Sequence, residues 1–225
     1  MLPPNESYLA TCARLCTMSY RDDAVQLGFV EVGDLCYGTF DTPHGQIVCI
    51  RGSKEPYNWL RNVRAVPWRT CAGNVGHKGF IRAYQDLCAA GMPTAKNPHV
   101  SYIGHSMGGG IATAGAEHTG GKLVTFGAPK FYFRFASAPV LRHIRVVRDD
   151  DPIPWVPGAF YTQPCKPFLL KDTDHCILQV KDHFMQGYER CILTKELTYE
   201  GVPVVAADLN HDWLLNRQLQ LHRRQ

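Results

Sequence analysis

The chain has 225 residues, of which 45% are hydrophobic and 20% charged, and a net charge of +4. That length and balance fit one soluble globular domain over residues 1–225, with enough chain to bury a core without cross-links. They exclude a membrane-spanning protein, since no run of 18 apolar residues occurs, and a nucleic-acid binder, since the positive charge is mild and scattered.

In chain order, Asn5 to Arg21 predicts a helix. Leu9, Cys12, Ala13, Cys16 and Tyr20 recur at three- and four-residue spacing and make one apolar face. Leu27 to Asp41 carries β-formers in loose alternation and suggests short strands. Gln46 to Arg51 is a compact apolar run between Gly45 and Gly52, the pattern of a buried strand. Residues 54–78 lack periodicity. Gly79 to Ala90 predicts a helix with Phe80, Ala83, Tyr84 and Leu87 inward, stopped by Gly91-Met92-Pro93. His99–Ile103, Lys122–Phe126 and Arg142–Val147 read as further strands. Met107–His118, rich in small residues, reads as the helix between the first two of these. Lys181–Ile192 reads as a last helix. Strands alternating with helices predict an α/β fold: a mostly parallel central sheet with helices on both faces.

Nine cysteines are spread along the chain, an odd number with no CxxC pair. Cys12 and Cys16 lie one helical turn apart but have no matching second pair, so neither a metal nor a cofactor is expected. Scattered free thiols, with no signal peptide visible at the N-terminus, favour a reducing, cytoplasmic location. The basic tail His222-Arg223-Arg224 reads as a solvated end. Oligomeric state is not written in the sequence.

Gly104-His105-Ser106-Met107-Gly108 fits G-x-S-x-G, and it sits between an apolar strand and a small-residue helix. That context is what makes a nucleophile of the serine. A sharp strand-to-helix turn aims Ser106 out of the sheet edge, and flanking glycines leave room for neighbouring chains. The backbone N–H of Met107 then becomes an oxyanion donor at the helix start. A serine needs a base, and the base an acid, in the chain order Ser, Asp or Glu, His of the α/β-hydrolase fold. The apolar strand Arg145–Arg148 runs into Asp149-Asp150-Asp151, where three carboxylates compete for the acid role.

At this point the sequence resembles the class 3 (fungal-type) lipases. The matching pieces run in order: Ile50-Arg51-Gly52-Ser53, Asn58-Trp59-Leu60, His77-Lys78-Gly79-Phe80, Gly104 to Gly109, Val124 to Pro129, Asp151-Pro152-Ile153-Pro154, and Asp182-His183-Phe184-Met185 with Tyr188. The resemblance implies an α/β-hydrolase fold and a catalytic triad of Ser106, Asp151 and His183, with His175 as the rival base. It implies Ser53 as the second oxyanion donor beside Met107. It also implies a substrate pocket lined by Trp59, Leu60 and His105, and a lid or fixed wall over residues 54–64. The activity implied is hydrolysis of acylglycerols or other fatty-acyl esters, with a lipid or ester substrate met at a lipid–water interface and no stable membrane insertion. Phospholipase A1 activity and a non-catalytic, lipase-like binding protein are the alternatives. His77 reads as structural. The aromatics Phe131, Tyr132, Phe133 and Trp155 depart from the family pattern, either narrowing the acyl pocket or filling core.

Overall fold

A computed structural model of the protein describes residues 6–53, 65–136, 139, 141–163, 165–170, 183–194, 197–199 and 202–204. The first half runs α1 (Tyr8–Met18), β1 (Phe29–Val32), β2 (Leu35–Thr42), β3 (Gly45–Ile50), β4 (Pro67–Arg69), β5 (Val75–His77), α2 (Lys78–Ala89), β6 (Ser101–His105) and α3 (Met107–Thr119). The second half runs β7 (Lys122–Phe126), β8 (Tyr132–Phe133), β9 (His143–Arg148), β10 (Tyr161–Thr162), β11 (Phe168–Leu170), α4 (Met185–Thr194), β12 (Leu197–Tyr199) and β13 (Val202–Val204).

Nine strands form the main sheet in the order β1-β2-β3-β6-β7-β9-β11-β12-β13. The five in the middle, β3, β6, β7, β9 and β11, are parallel. An antiparallel pair closes each side. Strands buried on both faces need apolar side chains at successive positions, so Ile47-Val48-Cys49-Ile50 is a continuous apolar run.

The faces separate by strand alternation. Ile47, Cys49, Ile103, Val124, Phe126, Ile144 and Val146 point to the side covered by α1 and α4, where they meet Leu9, Leu15, Met185 and Tyr188. Val48, Ile50, Tyr102 and Leu123 point to the side covered by α2 and α3, where they meet Phe80, Ile81, Leu87 and Ile111. Each large side chain removed from water contributes about 1.5–3 kcal/mol, so the two clusters hold the helices to the sheet. No helix among the described residues is long and apolar enough to cross a membrane.

The structure departs from the sequence expectation in three places. Helix α1 stops at Met18 rather than Arg21, because the Ser19 hydroxyl bonds the Cys16 carbonyl at 2.7 Å and offers the backbone an alternative to another turn. Residues without periodicity build a second sheet of very short strands, in the order β10-β8-β5-β4. Helix α4 runs from Met185 to Thr194, later than expected, and residues 181–182 lie outside the described residues. Of the basic cluster at 142–148, His143, Arg145 and Arg148 are buried on β9, with Arg148 paired to Asp150 at 2.9 Å.

Candidate active site

Ser106 stands between β6 and α3 with φ 56° and ψ −132°. It is the one non-glycine residue with positive φ among the described residues. Such a backbone is strained for a residue with a side chain and persists only where its surroundings fix it. Two close approaches do so. A Cβ on Gly104 would collide with the backbone of Gly108, and one on Gly108 with the carbonyl of Ile50. Only glycine at both positions lets β6, α3 and the end of β3 meet this tightly. The Ser106 N–H donates to the Phe126 carbonyl at 3.0 Å, tying the turn to β7.

The candidate acid follows β9. Asp151 is fully buried, whereas Asp149 is exposed and Asp150 is occupied by Arg148. The Asp151 carboxylate accepts three hydrogen bonds. Ile153 N donates to Oδ1 at 2.8 Å, while Tyr188 Oη at 2.6 Å and His183 Nδ1 at 2.7 Å both donate to Oδ2. A carboxylate with a donor at each position only accepts, so His183 carries its proton on Nδ1 and presents Nε2 bare. Burial, with the Asp151 charge beside it, pushes the Tyr188 hydroxyl well above its usual pKa, which keeps it a donor at every working pH.

Ser106 Oγ and His183 Nε2 are both buried without a hydrogen-bond partner. Buried polar atoms are nearly always paired, so two such atoms on one cavity call for a functional explanation. The cavity, of about 240 Å³, is lined by Tyr20, Ser53, His105, Ser106, His183, Phe184, Met185 and Gln186. Ser53, just beyond the end of β3, therefore lines the same cavity as Ser106. Met107 opens α3, and its N–H is one of those at a helix start that have no intrahelical acceptor. Among the described residues no group of three or more His, Cys, Asp or Glu has the geometry to hold a metal ion.

Of the expected pocket residues, His105 lines the cavity, while Trp59 and Leu60 lie outside the described residues, as do the 54–64 segment, His175 and the basic tail. Phe131 and Tyr132 are buried in the core against Phe80, not in the cavity, and Trp155 is exposed. His77 caps α2: its Nδ1 accepts from Gly79 N at 3.2 Å. Sequence reasoning missed Tyr20, which turns off the end of α1 to place its hydroxyl 2.8 Å from His105 Nδ1. It also missed Phe184, Met185 and Gln186, whose only signal was their position next to His183.

Residues 47–161 match the family Lipase (class 3). The secreted mono- and diacylglycerol lipase 1 of Fusarium solani is 31% identical over 176 residues, which cover 66% of this chain and 53% of that protein. The chain thus spans about half the length of the curated relative it matches. Lipase II from Rhizopus niveus superposes with a TM-score of 0.59 at 15% identity, covering 78% of this chain and 91% of that one. The Rhizomucor miehei lipase–propeptide complex superposes with a TM-score of 0.54 at 19% identity, covering 87% and 80%. What these structures share with this one is the α/β-hydrolase fold.

The Fusarium comparison corrects the expected cytoplasmic location, because that relative is named a secreted protein. The thiol argument fails for a physical reason. Cys12, Cys16, Cys36, Cys49 and Cys191 are buried and belong to no disulfide. A buried thiol packs as a small hydrophobe out of reach of oxidants, and so reports little about the compartment.

The match over residues 47–161, together with the strained serine turn inside it, places the chain in a family: it belongs to the class 3 lipases.

Proposed function

We propose that the chain is a serine ester hydrolase that cleaves fatty-acyl esters of glycerol, mono- and diacylglycerols among them, outside the cell. One observation carries this reading: Ser106 Oγ and His183 Nε2, both unpartnered, line one cavity, while Asp151 holds the other face of the imidazole. His183 takes the Ser106 proton as Oγ attacks the ester carbonyl, and Asp151 stabilises the imidazolium that forms. The tetrahedral oxyanion is met by the Met107 N–H and by Ser53. Collapse of the intermediate releases the alcohol, protonated by His183. Water, deprotonated by the same imidazole, then frees the fatty acid from Ser106. In this structure the Ser106–His183 hydrogen bond is not closed, and such bonds tighten when substrate binds.

The lipid preference draws support from the apolar residues at the cavity. Met185 is buried in its wall, and Phe184, 47% exposed, offers an aromatic ring to an acyl chain at a lipid–water interface. The name of the Fusarium relative supports the glyceride class and an extracellular location.

A fluorophosphonate probe tests the nucleophile, and fatty-acid release from monoolein and diolein emulsions tests the substrate. The expected result is labelling of the wild-type protein, none of Ser106→Ala, and release from both glycerides. Equal labelling of Ser106→Ala overturns the mechanism. Release from phosphatidylcholine alone replaces the substrate class with a phospholipid.

A further inference from the structure

His105 directly precedes the serine of the G-x-S-x-G turn, and both of its ring nitrogens are engaged. It is 4% exposed. Nε2 lies 2.6 Å from the backbone carbonyl oxygen of His183. A carbonyl only accepts, so the His105 proton is on Nε2 and Nδ1 is bare. Nδ1 therefore accepts from the Tyr20 hydroxyl at 2.8 Å. That hydroxyl, its proton committed, accepts from the Gly52 N–H at 3.1 Å. The whole line has one consistent direction: Gly52 N–H to Tyr20, Tyr20 to His105, and His105 to the His183 carbonyl.

Its two ends are the two sides of the site. Gly52 directly precedes Ser53, the proposed oxyanion donor, and His183 is the proposed base. Ser106 follows His105, between them. The line has no slack. A Cβ on Gly52 would lie 2.5 Å from the Tyr20 hydroxyl and 2.6 Å from the His105 carbonyl oxygen. The His105 ring lies over the His183 ring, with centroids 4.6 Å apart and planes at 31°. The Tyr20 ring meets His105 edge-on at 5.6 Å.

We infer that Tyr20 and His105 are positioning residues: a hydrogen-bonded strut that fixes the separation between the oxyanion donor and the catalytic imidazole across Ser106. Asp151 anchors the His183 ring at Nδ1 but leaves its backbone free to shift. The His105 bond fixes that backbone, and the stacked ring limits rotation. A misplacement of about 1 Å between nucleophile and base costs on the order of 10²-fold in rate. Burial and the nearby His183 also push the His105 pKa well down, so no second cation opposes the imidazolium formed during catalysis.

The inference rests on His183 acting as the base, and the experiment separates the two claims. Short nitrophenyl esters give kcat and KM for Tyr20→Phe, His105→Phe, the double variant and His105→Gln, with near-UV circular dichroism confirming folding. A strut predicts that Tyr20→Phe and His105→Phe each lower kcat roughly 10- to 100-fold with KM almost unchanged, and that the double variant is no worse than the poorer single one. The glutamine amide offers an NH2 donor group and a carbonyl acceptor, so His105→Gln recovers a large part of the loss. Nitrogen-15 NMR of the wild-type protein reads the tautomer directly, whether or not a variant folds, and the strut requires protonated Nε2 and bare Nδ1 at neutral pH.

Full kcat in Tyr20→Phe overturns the inference. So does a change confined to KM, which is the mark of a substrate contact, or strictly additive losses. A His105 proton found on Nδ1 overturns it as well. If wild-type hydrolysis survives in Ser106→Ala, the proposed mechanism fails instead, while the NMR result still decides whether the strut exists.

Discussion

The Tyr188 hydroxyl donates to Asp151 Oδ2 at 2.6 Å and at the same time accepts from the Arg148 N–H at 3.1 Å. One side chain of α4 thus ties the carboxylate to the last residue of the strand that delivers it. The same oxygen of Asp151 receives His183, so the tyrosine and the imidazole compete for, and jointly stabilise, one buried charge. Tyr188→Phe keeps the ring in place and deletes both bonds. It should destabilise the fold by about 1–2 kcal/mol and lower kcat roughly 10-fold through looser support of His183. Urea unfolding and ester kinetics on the same preparation check both effects.

Ser106 carries its strain whether or not it reacts. Replacing it with alanine removes the hydroxyl but keeps a Cβ at φ 56°. Glycine adopts that angle freely. Ser106→Gly and Ser106→Ala should therefore both be inactive, with the glycine variant more stable by about 1 kcal/mol. Equal melting temperatures for the two would show that the turn is relaxed.

Gly108 has no room for even one carbon, because a Cβ there would strike the Ile50 carbonyl and the backbone of Arg51 and Gly52. Both obstacles are main chain and cannot swing aside. Gly108→Ala should cost about 3 kcal/mol or more and depress activity by moving the β3 end away from Ser106. Gly120→Ala is the control for positive φ without crowding: at φ 75° with open space around it, it should cost about 1 kcal/mol and leave kcat unchanged.

Three buried histidines set the acid limit of the fold. Burial lowers the His77 pKa to about 4 and the His143 pKa to about 3, the latter with help from Arg145, and pushes His105 well down, with the nearby His183 adding to the effect. In the unfolded chain each takes up a proton near pH 6.5. The stability tied to their neutral forms is therefore complete above pH 6.5 and is lost as pH falls, levelling off only below the folded values. Each histidine removes about 1.4 kcal/mol per pH unit inside its window. Denaturant melts between pH 7 and 4 should show this slope, and His143→Gln should flatten it by about a third. A flat profile in the wild-type protein would sink the assignment.

The parts of the molecule legible in the sequence are those whose physics is local. The β6–Ser106–α3 turn announces itself because strand, strained serine, glycines and small-residue helix are contiguous. The runs at 45–50 and 122–126 read as strands because burial on both faces demands continuous apolar residues. The second sheet was invisible, since strands of two or three residues such as β8 and β10 cannot display a period. Asp149, Asp150 and Asp151 were indistinguishable by composition; the buried hydroxyl of Tyr188, 37 residues away, separates them. Tyr20 escaped because nothing near it in sequence specifies the partner it finds 85 residues on.

The packing of α1 against α4 has a consequence for biosynthesis. Arg14 lies 3.7 Å from Glu189, and the apolar faces of both helices belong to one buried cluster. Roughly 170 residues separate them, which is on the order of ten to thirty seconds of ribosomal elongation. Throughout that interval the greasy side of α1 has no cover on its α4 flank, and long-range closure of this kind is slow to fold. A nascent chain interrupted before His183 should leave α1 open to protease and attractive to chaperones, and the proposed hydrolytic site is completed only late in translation.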